Sequence, residues 1–299
     1  MEVGNMIIRQ LVNGLSLGSM YALIALGYTM VYGIVKLINF AHGDVLMVGA
    51  YCGFFILASW GATPVFLLIA FIFAMAMCAL IAVLIERFAY RPLRSAPRLN
   101  SLITAIAVSL ILQNGARVLP FMGPEPRQYP TPQTVNIDIG SISVSNIDLI
   151  VILLSAFLMI VLNYIINKTK TGKAMRAVSF DMQAASLMGI SVDKTIAFTF
   201  ALGAVLAAAG GILYATAYPQ VEPVMGTMPG LKAFVAAVLG GIGSVPGAML
   251  GGYILGIAET FTKGFLSSQF ADAISFAILI IILLVKPTGL MGSTKREKV

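Results

Sequence analysis

His42 and Asp44 stand two residues apart in the stretch KLINFAHGD (36–44), which interrupts an otherwise apolar part of the chain. An imidazole close to a carboxylate can relay a proton or hold a polar substrate. Asn39, His42 and Asp44 can equally satisfy backbone groups freed by a break in a helix, and this second use is the one favoured here. A charge at the centre of a bilayer costs roughly 2.5–3.5 kcal/mol on an insertion scale, so these groups belong at an interface or in a cavity. Nothing around them makes a catalytic centre. His42 is the single histidine, Cys52 and Cys78 stand apart inside apolar runs as small buried thiols, and no paired intramembrane carboxylates offer acid and base chemistry. Gly172-Lys173 is followed by Ala174 and lacks the upstream glycine of a phosphate cradle. The chain reads as no enzyme, with no metal and no cofactor, and any nucleotide would be hydrolysed by another chain.

A second interruption lies at 240–247, GGIGSVPG, where four glycines and a proline sit inside the uncharged run 233–258. A single straight helix tolerates that composition poorly. Shortly after each break comes a similar string, MVGAY at 47–51 and MLGGY at 249–253. Paired interruptions in two halves mark an internally duplicated transporter with its substrate route between the repeats, here 1–146 and 147–299. The candidate pathway residues are Asn39, Phe40, His42, Asp44, Gly240, Gly241 and Gly243. Half-helix ends at both places can offer N–H and C=O groups to a passing zwitterion without a buried fixed charge.

The third place is a polar, basic island between two apolar runs, 171–194, TGKAMRAVSFDMQAASLMGISVDK. Thr171 can cap a helix there and Gly189 can end it in the left-handed conformation. Met175, Val178, Met182 and Ala185 follow a three-four-three spacing and give that helix one modest apolar face. A capped cytoplasmic helix between two membrane spans suggests a docking partner.

The surrounding elements follow from composition. Of the 299 residues 59% are hydrophobic and 10% charged, too few polar groups to cover a soluble globule. Uncharged runs at 11–34, 64–85, 99–116, 149–166, 195–218 and 233–258 each reach the roughly 17–25 residues that a helix needs to cross a bilayer. The less clean segments 45–60 and 266–285 bring the expectation to about eight spans. The fold class is an all-α polytopic membrane protein with broken or re-entrant helices, a single transmembrane domain over 1–299. The ten-residue alternating segments of a barrel are absent from the sequence. No cleavable signal peptide is evident, because the first apolar run is too long for one. Small residues at 14–18, 207–211 and 247–251 recur at close to helical spacing, as tight helix packing in lipid requires.

Charge placement orients these spans. The net charge of +7 comes largely from three clusters: Arg87, Arg91, Arg94 and Arg98; Lys168, Lys170, Lys173, Arg176 and Lys194; and Lys286, Lys295, Arg296 and Lys298. That placement argues for lipid and orientation, not nucleic acid, and the positive-inside rule makes all three clusters cytoplasmic. The loop 120–146 carries Arg127 as its only basic residue, is punctuated by Pro124, Pro126, Pro130 and Pro132, and belongs on the outer face. Lys194 and the tail can share a side only if an even number of crossings separates them. The run 233–258 must therefore be broken.

Within the island, QAASLMG (183–189) resembles the EAA loop of ABC importer permeases, Glu-Ala-Ala, three residues, then Gly. Ala184, Ala185 and Gly189 match it, and Gln183 stands where Glu is usual. Residues 13–44, 171–177 (TGKAMRA), 233–256 and 286–292 (KPTGLMG) together are similar to the branched-chain amino acid permeases of ABC importers, over nearly the whole chain. The resemblance implies a multi-pass subunit of the bacterial inner membrane that pairs with a second, related permease. Two ATP-binding subunits and a periplasmic amino-acid-binding protein would complete the importer. It also implies that residues 171–194 form the coupling helix, with Gly172, Arg176, Asp181, Gln183, Ala184, Ala185 and Gly189 as its contact set and Ala185 on the face that enters the ATPase groove. Urea and short-chain amide importers share this permease family and form the alternative. A proton-coupled secondary transporter, using His42 and Asp44 and needing no docking island, is a more distant one.

Overall fold

Helix ends in this chain are set by small polar caps and by glycine. Thr63, Ser145, Thr169 and Ser244 each accept a hydrogen bond from a backbone N–H of the first turn they precede, which satisfies donors that have no intrahelical partner. In the computed structural model, which describes residues 2–36, 38–94, 96–139 and 142–292, eleven α-helices follow among the described residues: α1 Glu2–Val35, α2 His42–Trp60, α3 Pro64–Ile85, α4 Arg98–Val118, α5 Asn146–Lys168, α6 Lys170–Phe180, α7 Met182–Leu187, α8 Val192–Ala217, α9 Thr227–Gly240, α10 Val245–Phe265 and α11 Phe270–Val285. Six of them, α1 to α5 and α8, are long and apolar enough to cross a membrane, and α9 and α11 are shorter apolar helices. The chain is a multi-pass helical membrane protein.

The break expected within 233–258 is present. The helix stops at Gly240, Gly241 and Gly243 turn with φ of +103° and +95°, and Ser244 caps the next helix by accepting from Gly247 N–H at 3.2 Å. The two helices pack side by side, with Gly240 against Gly247 and Gly251 against Ala236. With the run split, the six spanning-length helices and the shorter α9 and α11 make eight apolar helices among the described residues, in line with the expected number of about eight. The split also resolves the parity of the crossings. Four helices now separate Lys194 from Lys286, and the segment after α11 returns to the end of α9, where Leu290 N–H bonds to Leu239 C=O and Met291 N–H to Gly240 C=O. Lys295, Arg296 and Lys298 lie outside the described residues. The clusters around Arg94 and Lys194 do share one end of the bundle, because Arg91 and Arg94 both pair with Asp193.

Close packing follows the small-residue stripes. Helices α1 and α10 run antiparallel, and a β-carbon built on Gly18 would lie 2.8 Å from Tyr253 Cα, and one on Gly252 2.5 Å from Ala22 N. Between α2 and α8 the same holds for Gly49, whose β-carbon would lie 2.5 Å from Ala208 Cα. Helices approach this closely in lipid because dispersion contacts replace the missing hydrophobic drive. Helices α1, α2 and α8 are accordingly mostly buried, while α3, α4 and α5 turn apolar surface outward.

Three expectations are corrected. Helix α2 begins at His42, not Val45, so the interruption is the linker 36–41, and His42, Gly43 and Asp44 form a first helical turn. The island is two helices: Thr169, not Thr171, caps the first, and Asp181 in an extended conformation ends it and caps the second. The helix predicted to start at 266 begins at Phe270. The loop 120–146 also carries short strands that the sequence does not announce: β1 Arg127–Gln128 pairs antiparallel with β4 Gln220–Val221, and β2 Asn136–Ile139 with β3 Ile142–Ser145. Tyr129 pins this loop into the bundle beside Phe54, and burial pushes its phenol above the ordinary tyrosine range.

Candidate functional site

The linker 36–41 is held by its own polar residues. Asn39 Oδ1 accepts from Ala41 N–H at 3.2 Å and from the Tyr90 hydroxyl at 2.8 Å, which fixes the start of α2 against the end of α3. His42 is buried with its ring edge-on to Tyr28 at 4.6 Å, and its Nε2 fills the space that a side chain at Gly27 would need. Gly43 lets α2 meet the start of α9 backbone to backbone, against Gly226 and Gly230. Asp44 points to α4, where its Oδ1 accepts from Gln113 Nε2 at 2.8 Å.

Asp44, Gly43 and Phe40 line a cavity of about 220 Å³ between α2, α4 and α9, together with Tyr28, Ser109 and Gln113. A larger cavity of about 990 Å³ opens at the basic end, lined by Tyr32, Lys36, Arg176, Phe234, Ile242 and Gly243 among others. Only a gap of about 10 Å³ lies between them, bordered by Tyr28, Tyr32, Ile38, Phe234, Ala237 and Ile242. Tyr28 lines both the small cavity and the gap; Tyr32, Phe234 and Ile242 line both the gap and the large cavity. Tyr28, Tyr32 and Phe234 are the aromatic rings at this narrow point, with Phe234 6.0 Å from Tyr28 and 6.3 Å from Phe40 on the side of the small cavity.

The predicted pathway residues therefore divide. Phe40 and Asp44 line the small cavity and Gly243 the large one, whereas Asn39 and His42 are buried supports. Gly240 and Gly241 line neither of these cavities: a β-carbon on Gly240 would collide with Gly247, and one on Gly241 would lie 2.5 Å from Gly292 N. The smallness of Gly240 serves the packing of α9 on α10, and that of Gly241 the packing of 286–292 onto their turn.

The island residues divide too. Gly172 brings α6 under the last carbonyls of α5, and Arg176 donates to Ile166 C=O there, where a cation also complements the helix dipole. Asp181 accepts from Gln183 N–H at 2.8 Å and Ala184 N–H at 3.0 Å. Gly189 has φ of +80°, as a helix-ending glycine should. Ala184 is exposed but Ala185 is buried with Met175 and Val178, so Ala185 is not on the outer face that the motif assigns it. The outer surface instead carries Phe180, Leu187 and Met188, each more than 80% exposed.

A further cluster escaped the sequence reading. Lys232 on α9 is buried and pairs with Glu259 on α10 at 2.8 Å and with Asp272 on α11 at 2.6 Å. Glu259 also accepts from Lys263 at 2.7 Å and from the Tyr21 hydroxyl of α1 at 2.9 Å. The available signal was that Lys232 and Glu259 bound the uncharged run 233–258 on either side.

The family model described as "Branched-chain amino acid transport system / permease component" matches residues 10–283. The high-affinity branched-chain amino acid transport system permease protein LivH of Escherichia coli K12 is 44% identical over 98% of this chain and 97% of its own length. The corresponding permease BraD of Pseudomonas aeruginosa PAO1 is 42% identical over 98% of each chain. A probable branched-chain amino acid transport permease LivH of Methanocaldococcus jannaschii is 31% identical over 92% of this chain and 89% of its own. This chain belongs to the family of branched-chain amino acid transport system permease components.

Proposed function

We infer that this chain is the permease subunit of an ATP-driven importer of branched-chain amino acids, carried above all by its full-length similarity to permeases of that name. Its partners are a second related permease, two ATP-binding subunits and a periplasmic amino-acid-binding protein, assembled in the bacterial inner membrane. The chain contributes part of a route that opens alternately to the binding protein and to the cytosol. The string of cavities supports this: the small chamber at Asp44, the aromatic closure at Tyr28, Tyr32 and Phe234, and the large vestibule at the basic end suit a permease closed between chamber and cytosol. The decisive experiment reconstitutes the assembled importer in liposomes and measures ATP-dependent uptake of labelled leucine, with urea and acetamide as competitors. Competition by the amides at low excess would move the reading to their class. Uptake driven by a proton gradient without ATP would move it to a secondary transporter.

Two variants probe coupling and closure. The segment 170–189 serves as the docking element for an ATPase subunit, with Phe180, Leu187 and Met188 as its apolar contacts. The pair Leu187→Glu and Met188→Glu is expected to leave the permease folded, since both side chains point to solvent, yet to lower co-purification of the ATPase by about tenfold, as two desolvated acids in an apolar groove would. Retention of the ATPase at wild-type level rejects the docking role. At the closure, Phe234→Ala is expected to let leucine leak down its gradient from loaded liposomes without ATP, where the wild-type complex holds it. An equally tight variant would show that the aromatic cluster is not the barrier.

A further inference from the structure

Three carboxylates are buried in the described residues, Asp44, Glu86 and Glu259, none more than 2% exposed. Glu86 is paired with Arg94, and Glu259 with Lys232 and Lys263. Asp44 has no ion-pair partner among the described residues; its side-chain hydrogen-bond partners are neutral, the amide of Gln113 and the hydroxyl of Ser109. Glu86 also borders a cavity but carries its own cation, so Asp44 is the buried carboxylate that lines a cavity with no cation among the described residues to balance its ionised form at apolar depth. Its place in the first turn of α2 favours the ionised form, because the positive end of the helix dipole lies there. Across the cavity, Gly226 and Thr227 form the start of α9, which no side chain caps.

We propose that Asp44 receives the α-ammonium group of the amino acid in transit. The uncapped start of α9 faces the substrate carboxylate, and Ile106 and Leu231 the aliphatic side chain. This rests on the importer reading and sharpens it: the chamber recognises a zwitterion, and a neutral amide would leave Asp44 unbalanced. It also explains why a buried acid goes unpaired, since a resident cation would compete with the cargo.

The test uses the complete importer in liposomes and a second, assembly-independent measurement. With leucine-loaded binding protein and ATP, Asp44→Asn is expected to cut leucine uptake by about tenfold or more, as removing one partner of a buried charge pair does, while the permease still co-purifies with its partner subunits. Asp44→Glu should recover part of the uptake. In the purified complex carrying Ser109→Cys with Cys52→Ala and Cys78→Ala, millimolar leucine should slow alkylation of residue 109 by a membrane-permeant maleimide. The same concentration of 4-methyl-2-hydroxypentanoate, which has the same shape but no ammonium group, should not. Uptake by Asp44→Asn within about twofold of wild type, equal protection by both compounds, or protection by neither would overturn the proposal, as would loss of assembly in Asp44→Asn without selective protection at residue 109. Failure of the wild-type complex to take up leucine would overturn the importer reading, and the protection measurement would still decide the role of Asp44.

Discussion

Replacing Glu259 by Leu is expected to lower the stability of the permease by about 3–5 kcal/mol, the usual cost of breaking a buried ion pair from one side. The substitution removes at once the acceptor of Lys232, Lys263 and the Tyr21 hydroxyl. Lys263 is about one-third exposed and can turn to water, but Lys232 is 7% exposed and keeps only Asp272. The carboxylate ties α9, α10 and α1 together, and through Lys232 also α11, so the loss spreads over much of the bundle. Pairing Glu259→Leu with Lys232→Met should restore more than half of the lost stability, since no uncompensated charge then remains in the interior. Thermal unfolding of the purified protein in mild detergent reads both. Additive effects of the two replacements would show that the residues do not act as a pair.

Gly252→Leu is expected to abolish the folded bundle. A β-carbon at this position already meets Ala22 N at 2.5 Å and Ala22 Cα at 2.6 Å, both backbone atoms that cannot turn aside. A full side chain must push α1 and α10 apart and so also opens the contacts of Gly14, Gly18 and Gly256 along the same seam. Overpacking a core costs typically about 1–3 kcal/mol where side chains can shift, and here the obstacle is main chain. The yield of monodisperse protein after solubilisation should fall to background. Gly115→Leu on α4 is the matched control, because nothing lies within 4 Å of its β-carbon position, and it should fold normally. Equal yields from the two variants would mean that the seam can open without loss of the fold.

The chain departs from its sequence reading most where tertiary contacts compete with local signals. Thr171 and Gly189 look like the ends of one helix, yet Asp181 splits it, because the carboxylate gains two backbone donors in an extended conformation. Ala185 matches a docking motif by spacing, but the turn at Gly189 folds α7 back so that Ala185 packs inward and Leu187 and Met188 face out. Gly240 and Gly241 read as route-lining because glycine-rich breaks often are, and the α9–α10 contact claims Gly240 and the segment 286–292 claims Gly241 instead. Lys232 and Glu259 were visible as the edges of an apolar run, but their partnership spans 27 residues and two helices, which periodicity cannot report.

Length, apolar runs and the grouping of Lys and Arg determined the helical membrane class, the approximate number of spans and the need for a break near Gly241. These follow from local composition, because a bilayer imposes the same length and polarity on every segment that crosses it. Similarity along the chain placed it in its permease family. Which glycines are seams and which border a cavity, which buried acid keeps a resident cation and which does not, and which face of the island is outermost were decided only by the tertiary structure. Each depends on distances between residues far apart in sequence, and those are set when the helices pack.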